Sequence, residues 1–194
     1  IDIGFRGHPY PLFLGDLDRR TFLARFQPHA VEAGLVCDIR YEKIKRADWV
    51  NYLQTCRGIV GAESGTYFLD RRGRSIAAAK AYLQHHPDAS FEEIYERFYE
   101  HPPAHVSGKA ISSRHFEPIG TRTCQILLEG NYNGILEADT HYICVKKDFS
   151  NLADVVQRFK DEAYRGKIVD QAYQHVMGAH TYQHRVDHLL RVVA

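Results

Sequence analysis

Short apolar runs recur along this chain, and longer stretches with helical spacing separate them. Residues 1–5, 35–41, 58–61, 124–128 and 141–145 read as strands. The second alternates Leu35, Cys37, Ile39 and Tyr41, and the third, Gly58-Ile59-Val60-Gly61, is brief and apolar throughout. Between them, residues 17–33 carry Leu17, Phe22, Leu23 and Phe26 on one helical face, with Gly34 as the stop. Residues 48–55, with Trp49, Val50 and Leu53, and residues 117–123 and 152–160 are shorter helices. Strands that alternate with helices fold into a parallel sheet with both faces covered. The expected fold class is therefore α/β, a Rossmann-like parallel sheet flanked by helices. Such sheets take their ligands beyond the C-terminal strand ends, where the strand order reverses. Attention falls on the loops that follow strands: 6–16, 63–66, the approach to Glu117, and 130–134.

One stretch departs from this rhythm. Arg71-Arg72-Gly73-Arg74 is a charged turn, residues 75–85 are helical, and Ser90 followed by Glu93 is a capping-box pattern opening a helix to Tyr99. Residues 101–113 are irregular. Residues 71–111 thus read as an α-helical insertion. The tail, 161–193, is helical, with breaks expected at Gly166 and Gly178 and a last apolar face at Leu189, Leu190 and Val193. The 194 residues suit a single domain, 1–194, carrying that insertion. Ile1-Asp2-Ile3 opens directly as a strand with no initiator Met, so the chain is expected to be part of a longer one.

Composition excludes some partners. A formal net charge of +1 gives no global field for nucleic acid or an anionic membrane, although a local basic pocket is enough for a phosphorylated small molecule. Cys37, Cys56, Cys124 and Cys144 form no CxxC pair and sit among apolar residues, so buried, reduced thiols and a cytoplasmic setting are expected. No apolar run is long enough to span a bilayer, and no basic-then-apolar leader opens the chain.

Two segments carry the chemistry. Ala62-Glu63-Ser64-Gly65-Thr66 follows a strand, and its small residues would let backbone N–H groups and hydroxyls approach a diphosphate. A plain strand-to-loop turn has the same composition. The more specific segment is Arg114-His115-Phe116-Glu117-Pro118-Ile119-Gly120-Thr121-Arg122-Thr123. Glu117 before Pro118 reads as a helix start, and a carboxylate there can accept two ribose hydroxyls. Arg122, about one turn later, could meet phosphate in a bidentate way. The alternative is that Glu117 only caps the helix and Arg122 is a solvated charge.

Arg114-His115-Phe116-Glu117, with Gly120 and the strand 125–128, resembles the RxFE core of the spore-maturation (CgeB-like) group of glycosyltransferases, within the GT-B, group 1 enzymes. Residues 1–7 resemble the first strand of a GT-B C-terminal domain. Residues 52–58 with Glu63-Ser64-Gly65 resemble the helix, strand and loop before the sugar-binding turn. Asp148-Phe149-Ser150-Asn151-Leu152 resembles a late helix opening, and residues 175–190 resemble the terminal helix. The resemblance covers most of the chain outside 71–111. It implies a donor-binding half that takes a nucleoside-diphosphate sugar as substrate, needs no metal or other cofactor, and works with an N-terminal acceptor-binding domain outside this chain. It assigns Glu117 to the ribose, Arg114 and His115 to the turn facing the donor, Glu63, Ser64 and Gly65 to the donor sugar and diphosphate, and Arg6 and Gly7 to the first diphosphate loop. Thr121, Arg122 and Thr123 complete the expected nucleotide-sugar site. They stand where the group more often has small residues.

Other chemistry is weaker. His180, His184 and His188 are spaced by four and would share a helix face, with Asp187 behind them, but the face carries charges and there is no HExxH pattern. Ser64 lacks the glycine frame of a nucleophile elbow, and Cys124 is expected to be buried. The function expected is sugar transfer from a nucleoside-diphosphate donor to an acceptor. The alternative is a non-catalytic nucleotide-sugar-binding or scaffolding domain of the same fold.

Overall fold

A computed structural model describes residues 1–8, 10–67, 70, 72–99 and 107–193. Five parallel strands form one sheet: β1 (Ile3–Arg6), β2 (Cys37–Arg40), β3 (Gly58–Gly61), β4 (Cys124–Leu128) and β5 (Ile143–Val145). Their order is β2-β1-β3-β4-β5. The chain runs outward from β1 to β2, then returns to the other side of β1 for β3, so the switch point lies between β1 and β3.

The helices are α1 (Asp18–Glu32), α2 (Arg46–Thr55), α3 (Arg74–His85), α4 (Phe91–Phe98), α5 (Ser113–Gly120), α6 (Leu152–Lys160), α7 (Glu162–Ala179) and α8 (Tyr182–Val193). Alternation along the strands sends side chains to two cores. Ile3, Phe5, Val60, Ile126, Leu128, Ile143 and Val145 pack against Phe22, Leu23 and Phe26 of α1 and Val155, Val156 and Phe159 of α6. Leu127 and Cys144, pointing the other way, meet Ile119 of α5 and Ala172 and Val176 of α7. Ile59 meets Tyr52 and Leu53 of α2 and Cys56 just after it. Each such fully buried Leu, Ile or Phe contributes roughly 1.5–3 kcal/mol. Gly4 is on the α2 face because a Cβ there would lie 2.5 Å from Cys56 Sγ and 2.7 Å from Tyr52 Oη.

The expected insertion is a helical pair with a small core of its own, Ala79, Ile94 and Tyr99, against which Phe13, Tyr82 and Phe98 pack. Ser90 accepts from Glu93 N–H at 3.1 Å as expected, but the Glu93 carboxylate turns to Tyr82 Oη instead of reaching back to the cap. Residues 101–106 of the segment expected to be irregular lie outside the described residues, as does Arg71 of the charged turn. The chain re-enters the domain where Ser64 and Ala110 pair backbone to backbone. Gly65, at φ +86°, makes this neck possible: a Cβ there would overlap the Gly108 carbonyl oxygen.

Three expectations are corrected. The helix carrying Glu117 starts at Ser113, not at Glu117, because Ser112 caps it and His115 reaches back to accept the Ser112 N–H at 3.0 Å. Glu117 is therefore inside the helix, and Thr121–Thr123 form the turn into β4 instead of the helix end. The tail does not break at Gly166 or Gly178. Asp161 caps α7 by accepting from Tyr164 N–H, and Ile168, Ala172 and Val176 hold one buried stripe between Gly166 and Gly178. The break falls at His180 and Thr181, so His180 ends α7 while His184 and His188 lie on α8, and the three do not share one helix face.

All four cysteines are free; Cys56, Cys124 and Cys144 are buried and Cys37 is half-buried. Among the described residues, no helix is long and apolar enough to cross a membrane.

Candidate functional site

A cavity of ≈ 340 Å³ opens at the switch point. The end of β1 supplies Phe5, Arg6, Gly7 and His8; the end of β3 supplies Gly61 and Ala62; α5 supplies Arg114 and His115. Trp49 of α2, Lys43 before it, and Arg19 and Tyr10 near the start of α1 complete the rim. Its described lining thus holds Arg6, Arg19, Lys43, Arg114 and two histidines, with no Asp or Glu.

These cations are not equivalent. Arg6 is buried and spoken for. It pairs with Asp38, reaches Glu42 at 3.4 Å, donates to Asp38 O at 2.8 Å and Tyr52 Oη at 3.2 Å, and stacks on the Tyr52 ring. Burial opposes its charge, but the hydrogen bond to Asp38 together with the charges of Tyr52, Asp38 and Glu42 outweighs that and raises its pKa. Arg6 is therefore an anchor for β2 and α2. Arg19, Lys43 and Arg114 form no ion pair among the described residues. Arg19 lies over the Tyr10 ring at 4.6 Å. Arg114 lies over the Trp49 ring at 4.2 Å and donates to Arg6 O at 3.4 Å. A concave site with unpaired cations and no carboxylate is suited to an anion.

His115 fixes this geometry. It is 3% exposed; its Nδ1 accepts from Ser112 N–H, so Nε2 carries the proton and donates to Ala62 O at 3.2 Å. Burial pulls its pKa down to about 4, against the opposing pull of the Ala62 carbonyl. The ring is neutral and ties the first turn of α5 to the end of β3. Gln125 of β4 adds a second tie, donating to His115 O at 3.0 Å.

The expected site residues divide into three groups. Arg6, Gly7, Arg114 and His115 line the cavity. Glu117, Glu63, Ser64 and Gly65 stand beside it. Glu117 Oε2 accepts from Trp49 Nε1 at 2.7 Å, behind the ring that forms the wall. Glu63 Oε1 accepts from Tyr132 N–H at 2.8 Å. Ser64 donates its hydroxyl to Ser112 Oγ and its N–H to Ala110 O, and Gly65 N–H donates to Tyr10 Oη. The two N–H groups expected to hold diphosphate are thus engaged within the protein. Thr121, Arg122 and Thr123 are not gathered here. They precede β4, at the opposite end of a parallel sheet, where Arg122 pairs with Asp170 and stacks on Tyr173 and Thr123 Oγ1 donates to Leu53 O.

The sequence reading missed His8, Tyr10, Arg19, Lys43 and Trp49. Trp49, the one Trp of the chain, was legible only as an apolar helix position. Arg19 and Lys43 carry no local signal, since folding alone brings them to one rim. Among the described residues no group of three His, Cys, Asp or Glu is arranged to hold a metal ion.

A parallel sheet with a cation-rimmed cavity at its switch point defines an open α/β protein suited to an anionic ligand. Residues 42–191 match the sequence profile of the Glycosyl transferase-like family, and with most of its length covered the chain belongs to that family. The match runs through the helical pair α3 and α4 and begins after β2, so Arg6 lies outside it. A comparison with curated proteins finds none that matches.

Proposed function

We propose that this chain is the donor-binding half of a GT-B glycosyltransferase of the CgeB-like kind, and that its switch-point cavity takes the diphosphate of a nucleoside-diphosphate sugar. The observation that carries this reading is the rim on which Arg19, Lys43 and Arg114 stand with no carboxylate in the described lining. In the transfer, the bond between the anomeric carbon and the diphosphate oxygen breaks and its electron pair leaves with the diphosphate. The acceptor oxygen bonds that carbon, and its proton goes to a base on the N-terminal domain. Fixed cations facing the leaving group stabilise the charge that develops there, so the reaction needs no divalent cation. Glu117 serves the ribose: one carboxylate oxygen holds Trp49 and the other is left for the sugar hydroxyls. The donor is positioned by α5, which presents Arg114 and Glu117 from one rigid helix.

Calorimetric titration with UDP, GDP, ADP and TDP tests the proposal. At least one is expected to bind the chain in the presence of EDTA. Arg114→Ala and Glu117→Ala are each expected to weaken that binding by about 1–3 kcal/mol. If no nucleoside diphosphate binds the folded chain, the reading is wrong. Binding that survives both substitutions unchanged would place the nucleotide elsewhere.

A further inference from the structure

A second cleft, ≈ 550 Å³, lies between the helical insertion and the C-terminal ends of β4 and β5. It takes Leu128 from β4, Lys147 and Phe149 from the loop after β5, Thr21 from α1, and Phe91 and Tyr95 from α4. The insertion therefore builds one wall and the sheet domain the other.

Its frame is held rigidly. Lys109, on the segment returning from the insertion, pairs with Asp16, and with Asp18 at 3.0 Å; the first two are nearly inaccessible to solvent. Tyr67 donates to the same Asp18. This bridge pins the neck of the insertion to the first turn of α1, so the two walls keep a fixed separation. Phe149 sits at φ +60°, a left-handed conformation that bulky residues rarely adopt, with its ring partly packed on the sheet core. Such strain persists only where the surroundings hold it, and it is concentrated at ligand sites.

The lining has a definite chemistry. Phe91, Tyr95 and Phe149 offer apolar ring surface. Asp18 is already satisfied by Lys109 and Tyr67 and brings no free charge. The Thr21 hydroxyl has no hydrogen-bond partner among the described residues. The Lys147 ammonium has none either; it lies over the Tyr67 ring at 5.5 Å. A ligand matching this cleft carries an apolar face for the rings and oxygen atoms at its edge for a hydroxyl and an ammonium. A pyranose has that shape: C–H bonds on its faces and hydroxyls around its rim. The one cation of the described lining is too little for a diphosphate, which three cations without an ion pair among the described residues await in the neighbouring cavity. The two sites flank the same helical turn, with Arg19 facing one and Asp18 the other.

We infer that this cleft is a saccharide-binding subsite, supplied by the insertion, that holds the sugar of a glycan acceptor beside the donor. Its role as an acceptor subsite rests on the glycosyltransferase reading; its binding of saccharide does not.

Saturation-transfer NMR on the chain with maltotriose, cellotriose and chitotriose as probes tests it, alongside the nucleotide titration as a separate arm. At least one trisaccharide is expected to bind, without displacement by UDP. Phe91→Ala removes a half-exposed ring outside the insertion's core and is expected to weaken saccharide binding about tenfold, with nucleotide binding unchanged. Thr21→Val, nearly isosteric, is expected to weaken saccharide binding as well and keeps the test valid if Phe91→Ala loosens the insertion. Binding of none of the three, equal binding by both variants, or displacement by UDP would overturn the inference. Saccharide binding without nucleotide binding would uphold the subsite and refute the donor cavity instead.

Discussion

Replacing His115 with glutamine should leave the protein nearly as stable at neutral pH and make it more resistant to acid. The ring is buried and neutral, with Nδ1 accepting from Ser112 N–H and Nε2 donating to Ala62 O. Glutamine is the usual residue at this third position of a capping box and can make both bonds through its amide. It cannot take up a proton. Histidine can, and in the folded protein it does so only near pH 4, against an ordinary value of 6.5. Between these two values the unfolded chain binds more protons at this position than the folded one, so stability falls as pH falls. The stabilisation from a neutral His115 is complete above 6.5, declines below it, and is gone below about 4. At ~1.4 kcal/mol per pH unit, that gap amounts to on the order of 3 kcal/mol. Urea denaturation of both proteins at several pH values between 7.5 and 4 is the assay. Subtracting the variant's curve removes the contribution of carboxylates common to both. The wild-type protein should lose on the order of 3 kcal/mol more than H115Q across this range. Parallel curves, or an imidazole NMR titration of His115 centred near 6.5 in the folded protein, would refute the reasoning.

Two further outcomes concern the neck of the insertion. Lys109→Met strands the buried Asp16 carboxylate and should cost about 3–5 kcal/mol at neutral pH. Burial already raises the Asp16 pKa despite the opposing hydrogen bond from Lys109, so without Lys109 the carboxyl should protonate readily. The deficit should then shrink as pH falls; a deficit independent of pH would rule this out. Gly65→Ala forces a side chain into a left-handed backbone and against Gly108, and should destabilise by about 2–4 kcal/mol in urea. A loss under about 0.5 kcal/mol would mean that the neck is not held as described.

The sequence by itself determined the sheet and most of the helices. Residues 124–128 read as a strand because they form a short, almost wholly apolar run, as a strand buried on both faces does; only the packing shows Ile126 and Leu128 facing one core and Leu127 the other. The helices α3 and α4 were legible because the Ser90 cap and the apolar helix positions are local signals. The family resemblance marked α5 as the place to look, and the structure puts Arg114 and His115 of that helix on the cavity. Local reasoning failed where a distant partner decides. The start of α5 was a local misreading instead: Glu117-Pro118 imitates a helix opening, while Ser112 and His115 supply the cap. Arg6 looked like a free phosphate ligand until Asp38 and Tyr52 enclosed it. Arg122 looked like its companion until the turn before β4 placed it at the far end of the sheet. Arg19, Lys43 and Trp49 had no signal at all, because a charge or ring on a helix is solvated or functional according to what the fold brings opposite it. Periodicity reports which face of an element is buried; only the packing of elements decides which charges end up without a partner, and those are the ones left for a ligand.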